Sequence, residues 1–164
     1  MAMRIGIMTL SDRSARGERE DASGPALADL VRTQGWSVAE QTIFPDDESA
    51  IRIALTNWAD SGRFDIILTT GGTGFAPRDI TPEATRAIIQ REAPGLAEAM
   101  RADSLKKTSH AMLSRAVAGI RGQTLIVNLP GSPKGAVENL QTILPVLPHA
   151  VQLLSNDPAS ESSH

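Results

Sequence analysis

Short apolar runs and stripes of helical period take turns along this chain. Arg4–Leu10, residues 65–69 and Thr124–Leu129 are brief, apolar on both faces and closed by polar or glycine-rich residues, which predicts buried parallel strands. Residues 36–43 form a weaker run, expected nearer a sheet edge. Between them, Leu27, Leu30 and Val31, then Ile51, Ala54, Leu55 and Trp58, recur at i, i+3, i+4, the stripe of a helix that buries one face. This alternation predicts an α/β fold of three layers: a mostly parallel sheet with helices on both faces and right-handed crossovers.

Farther along, Thr81-Pro82-Glu83 reads as a helix start, with Thr as N-cap, Pro at the first helical position and Glu at the positive helix end. A helix is expected over Pro94–Leu105 and a polar loop over residues 106–110. Residues 116–120 and 123–128, joined at Arg121-Gly122, predict a hairpin that feeds the last core strand. Two closing helices carry Val137, Leu140, Leu144 and then Leu147, Ala150, Val151, Leu154, with Pro145 as the breaker between them. One domain is therefore expected over residues 1–154, followed by a polar tail over residues 155–164 without an ordered structure. A chain of 164 residues suits that size, because a globule of this length buries roughly 70% of its unfolded surface.

Composition narrows the function. Sixteen Lys and Arg against 19 Asp and Glu leave a net charge of −3, and only 3% of residues are aromatic. A basic footprint and a stacking platform are both missing, which argues against nucleic acid as a partner. The lack of cysteine removes disulfides, thiolate metal sites and cysteine nucleophiles together. His110, His149 and His164 are scattered and not spaced as metal ligands. No run approaches the ~20 apolar residues of a membrane span. The start runs straight into a strand with no apolar signal region, so no membrane association and a cytoplasmic location are expected.

Candidate chemistry gathers where strands end. Thr69-Thr70-Gly71-Gly72-Thr73-Gly74 follows a core strand, and its glycines allow a sharp turn that presents backbone N–H groups to an anion; taken alone, the segment reads more simply as a Gly-rich turn that leaves the strand. Neither a Walker motif nor the six-position glycine fingerprint of dinucleotide folds is present. Asp79, just ahead of the helix at Thr81, suits Mg²⁺ on a nucleotide or simple loop stiffening, and Arg78 suits a phosphate or solvent. Pro45-Asp46-Asp47-Glu48 follows the second strand, where acidic residues also serve a helix start. Asp46 and Asp79 are expected at the carboxyl ends of neighbouring strands, facing the crevice where open α/β sheets bind ligands. Asn128-Leu129-Pro130-Gly131-Ser132-Pro133-Lys134-Gly135 leaves the last core strand as a rigid loop in which Lys134 offers a cation. Ser11-Asp12 and Ser114-Arg115 sit at other loop edges.

At these residues the chain is similar to a known family. Thr69-Thr70-Gly71-Gly72-Thr73-Gly74-Phe75-Ala76-Pro77-Arg78-Asp79-Ile80-Thr81-Pro82-Glu83-Ala84-Thr85 resembles the signature of the molybdopterin adenylyltransferase family, which includes the amino-terminal domain of gephyrin. Met112-Leu113-Ser114-Arg115, Gly119-Ile120-Arg121-Gly122, Asn128-Leu129-Pro130-Gly131-Ser132 and Leu147-Pro148-His149-Ala150 resemble its later blocks. The resemblance implies a three-layer fold, usually a homotrimer, that uses Mg²⁺ and ATP to adenylylate molybdopterin with release of pyrophosphate. Molybdenum insertion follows that step, which makes a molybdenum insertase an expected partner. Carried over by the resemblance, Asp46 and Asp79 are the functional aspartates, with Asp79 as the Mg²⁺ ligand. The pterin-phosphate and nucleotide contacts fall on Gly71, Gly72, Thr73, Gly74, Ser114, Asn128, Pro130, Gly131, Ser132 and Lys134. Lys106-Lys107-Thr108-Ser109-His110 departs from gephyrin-like relatives, with Thr-Ser in place of Thr-Pro. The alternative is a molybdopterin-binding or cofactor-delivery module without adenylyltransferase activity.

Overall fold

A computed structural model of the chain describes residues 2–156, so the tail expected at 155–164 lies outside the described residues from position 157 onward. β1 (Arg4–Leu10) is buried along six of its seven residues, as a strand covered on both faces must be. A four-residue turn of helix, α1 (Asp12–Ala15), leaves its carboxyl end, and α2 (Ser23–Thr33) returns the chain. β2 (Ser37–Phe44) alternates exposed and half-buried positions, which marks an edge, and α3 (Glu48–Asp60) buries Ile51, Leu55 and Trp58. β3 (Ile66–Thr70) is buried throughout, followed by α4 (Thr81–Ile88), the two-residue β4 (Arg91–Glu92) and α5 (Pro94–Leu105). A 3₁₀ turn over Ser109–Leu113 precedes the hairpin of β5 (Ala118–Arg121) and β6 (Thr124–Leu129). α6 (Pro133–Ile143), a 3₁₀ turn holding Pro145 and α7 (Leu147–Leu154) close the described chain.

The strands form one sheet in the order β2-β1-β3-β6-β5-β4. β2, β1, β3 and β6 are parallel, whereas β5 runs antiparallel to β6 and β4 antiparallel to β5. Because successive side chains on a strand point to opposite faces, Ile66 and Leu68 join one core with Leu27, Val31 and Leu140, while Ile67 joins another with Ile51, Leu55 and Ala84. Two cores on one sheet make the three layers that the alternation predicted. Each fully buried Leu or Ile contributes roughly 1.5–3 kcal/mol relative to exposure. Among the described residues, no helix is long and apolar enough to cross a membrane.

Several local expectations shift. β2 and β3 each sit one residue later than the apolar runs suggested, and α1 and β4 were too short to leave a periodic signal. Part of the loop expected at 106–110 tightens into the 3₁₀ turn, capped by the Thr108 hydroxyl, which accepts from the His110 N–H at 3.2 Å. Thr81 does not cap α4. Its hydroxyl donates instead to the Gly71 carbonyl at 2.9 Å, a long-range bond that sequence spacing does not reveal. β2 and β3 are also not neighbours, since β1 lies between them.

Candidate functional site

Four parallel strands end on the same side of the sheet, and their exits line a cleft of about 670 Å³. β1 connects to partners on both of its flanks, so this is the place where the winding of the sheet reverses and a crevice opens beyond the strand ends. Ser11 and Asp12 enter from β1, Asp46 from β2, Gly71, Gly72 and Asp79 from the segment after β3, and Gly131 from the exit of β6.

The turn after β3 requires its glycines. Gly71 and Gly72 adopt φ of +103° and +69°, a region that disfavours side chains. A Cβ on Gly71 would strike the Leu10 carbonyl, and one on Gly72 would strike the Thr81 hydroxyl. Thr81 fastens this turn twice, through its hydroxyl to Gly71 and its N–H to the Gly72 carbonyl at 3.1 Å. Thr70 donates to the Pro130 carbonyl at 2.6 Å and ties the turn to the exit of β6. The backbone therefore lies open along the cleft and pinned behind it.

The acidic cluster after β2 divides its work. Asp47 accepts from the Ala50 N–H at 3.0 Å and caps α3, while Asp46 faces the cleft. Asp46 and Asp12 exchange bonds: the Asp12 N–H donates to Asp46 Oδ2 at 3.1 Å, and the Asp46 N–H donates to Asp12 Oδ1 at 2.9 Å. Asp46 Oδ1 is buried without a hydrogen-bond partner among the described residues. Burial pushes the Asp46 carboxyl up from its ordinary value. The Asp12 N–H opposes that rise, the charges of Asp12 and Asp79 add to it, and Arg78 opposes it more weakly. Asp79 closes a turn in which its Oδ2 accepts from the Ala76 N–H at 2.9 Å and its own N–H donates to the Ala76 carbonyl at 2.8 Å. A carboxylate oxygen left without a donor, with a second carboxylate in the same cleft, suits a hard cation that shares its ligands with phosphates and water. No cluster of three or more potential ligand side chains occurs among the described residues.

The cleft thus gathers Asp46, Gly71, Gly72, Asp79 and Gly131, and the other anticipated residues sit behind or beside it. Thr73 and Gly74 turn their carbonyls to Arg115, whose backbone N–H donates to the first and Nε to the second, both at 2.8 Å. Asn128 is fully buried, with Nδ2 donating to the Thr69 and Thr85 hydroxyls at 3.0 Å and Oδ1 accepting from the Val117 N–H at 3.1 Å. Pro130 offers its carbonyl to Thr70, and Ser132 caps α6 by accepting from the Gly135 N–H at 3.1 Å. Ser114 Oγ accepts from the Ala116 N–H at 3.3 Å. The Lys134 side chain is 89% exposed, with Glu138 at 4.0 Å.

Sequence reasoning gave too little weight to the segment after β1. Asp12, Arg13, Arg16, Arg19 and Asp21 all line the cleft. Asp21 accepts from the Thr9 hydroxyl at 2.8 Å and from the Gly24 N–H at 3.0 Å, which anchors the start of α2. The available signal was position: a polar run directly after a buried strand of a parallel sheet faces the ligand crevice.

The family described as a probable molybdopterin binding domain matches residues 6–149. A molybdopterin adenylyltransferase of Helicobacter pylori is 42% identical over 152 residues, which cover 92% of this chain and 86% of that protein. The molybdenum cofactor synthesis protein cinnamon of Drosophila melanogaster is 46% identical over 154 residues; these are 93% of this chain, which spans only 26% of that protein's length. The crystal structure of the molybdopterin biosynthesis enzyme MoaB from Thermus thermophilus superposes with a TM-score of 0.89 at 53% identity, covering 95% of this chain and 98% of that one.

Proposed function

Because this chain belongs to the probable molybdopterin binding domain family, we propose that it is a molybdopterin adenylyltransferase of molybdenum cofactor biosynthesis, with the cleft at Asp46 and Asp79 as its catalytic centre. The observation that carries this reading is the buried, unpartnered Oδ1 of Asp46 beside the Gly71-Gly72 turn and within the field of Asp79. Carboxylates in a cleft built for phosphates repel the substrate unless a cation stands between them. A Mg²⁺ carried by ATP would be held by Asp79 together with Asp46 and would neutralise phosphate charge.

The chain's own residues supply position. The terminal phosphate of molybdopterin is already ionised, so the reaction needs no activated nucleophile. One of its oxygens forms a bond to the α-phosphorus of ATP, the bond from that phosphorus to the bridging oxygen breaks, and pyrophosphate leaves with the electron pair. The backbone at Gly71 and Gly72 orients phosphate oxygens, and Arg13, Arg16 and Arg19 around the cleft offset the charge of the two substrates. Retention of both aspartates in one cleft favours catalysis over a binding module. Incubation with molybdopterin, ATP and Mg²⁺ should yield adenylylated molybdopterin and pyrophosphate, and absence of both products would refute the reading.

The same reading carries a cytoplasmic location, a molybdenum insertase that receives the product, and a homotrimer. It also treats residues 1–154 as one molybdopterin-binding unit. Light scattering that finds a monomer across micromolar concentrations would exclude the trimer.

A further inference from the structure

We propose that Arg115 is a positioning residue for this site, fastening the loop that carries Asp79 from the side away from the cleft. The inference rests on the adenylyltransferase reading for its catalytic consequence, though not for its geometry. Arg115 does not line the cleft, so it acts through the loop and not on substrate. Its backbone N–H donates to the Thr73 carbonyl at 2.8 Å, Nε to the Gly74 carbonyl at 2.8 Å and Nη2 to the Asp79 carbonyl at 2.7 Å. Nη1 and Nη2 also reach the two Glu83 oxygens, at 2.7 and 3.2 Å. One side chain thus bonds the loop at its start, at its functional aspartate and at the first turn of α4.

Thr81 pins the far end of this loop to Gly71 and Gly72, but apart from Arg115 the hydrogen bonds of Asp79 itself, among the described residues, all return to Ala76, through its carboxylate and its N–H. The Arg115 contact on the Asp79 carbonyl ties the turn to the hairpin side of the domain. Arg115 is itself held, because Arg101 Nη1 on α5 donates to the carbonyls on either side of it, Ser114 at 3.4 Å and Ala116 at 2.9 Å. A planar fork of five donors can serve two carbonyls and a carboxylate at once, which a lysine ammonium on a flexible stem cannot reproduce. The ion pair with Glu83 is too exposed, at 33% and 43%, to be the reason for this arrangement. The carbonyl contacts remain as the specific feature.

Three variants test the assignment: Arg115→Met, Arg115→Lys and Glu83→Gln. Adenylyl-transfer kinetics are measured beside hydrogen exchange of residues 73–80 and thermal melts. Arg115→Met should lower kcat by about 100-fold, the scale of an ångström-sized misplacement at a reacting centre, with KM for ATP moving less than about threefold. Arg115→Lys should recover part of that loss, Glu83→Gln should stay within about threefold of wild type, and loop exchange should rise in Arg115→Met but not in Glu83→Gln. Wild-type kcat in Arg115→Met, an equal loss in Glu83→Gln, or unchanged loop exchange would each overturn the proposal. Should the wild-type protein transfer no adenylyl group, the functional reading fails, and the exchange comparison still decides whether Arg115 locks the loop.

Discussion

Asn128→Ala separates a residue that binds ligand from one that holds the floor under the site. The family resemblance assigns Asn128 to the ligand contacts, but its carboxamide is enclosed by Thr69 on β3, Thr85 on α4 and the Val117 N–H before β5, with no exposed surface. Truncation strands the Val117 N–H, at about 1–3 kcal/mol for a buried unsatisfied donor, and removes two bonds to hydroxyls at about 1 kcal/mol each. The expected loss is about 3–5 kcal/mol, which for a domain of this size lowers the melting temperature by roughly 6–20 °C. KM for molybdopterin and ATP, measured below the melting transition, should be unchanged in Asn128→Ala. A melt within about 2 °C of wild type combined with a raised KM would refute this reasoning and move the carboxamide onto a ligand.

Asp79→Asn should lower adenylyl transfer by at least ~100-fold in a steady-state assay at saturating Mg²⁺, with little change in the melt, as expected for loss of one strong electrostatic contact at a reacting centre. Asp46→Asn should also impair turnover yet raise the melting temperature at neutral pH. Burial raises the Asp46 pKa, so the stability it contributes is lost as pH rises through the folded value, and the advantage of Asn should vanish in melts run below the carboxylate range. Gly72→Ala should cost about 1–2 kcal/mol from its left-handed backbone alone, with more from the collision with Thr81, and denaturant titration checks it.

The strand and helix alternation was legible because burial on both faces leaves unbroken apolar runs in β1, β3 and β6, and one-sided burial leaves the stripes of α2 and α3. Those local patterns determine the α/β layers and place Gly71, Gly72, Asp46 and Asp79 at strand exits, where a ligand cleft is expected. Pairing order was not legible. A strand's composition reports how buried it is and not which neighbour it takes, so the insertion of β1 between β2 and β3 is a tertiary result. That insertion brings Asp12 against Asp46, 34 positions away, and leaves Asp46 Oδ1 without a partner. Side-chain roles were hidden for the same reason. Thr81 has the residue type of a cap and Asn128 that of a binder, but the partners that claim their polar atoms lie 10 to 59 positions away. Periodicity encodes which face of an element is buried, and only the packed chain decides which polar groups remain free to meet a ligand.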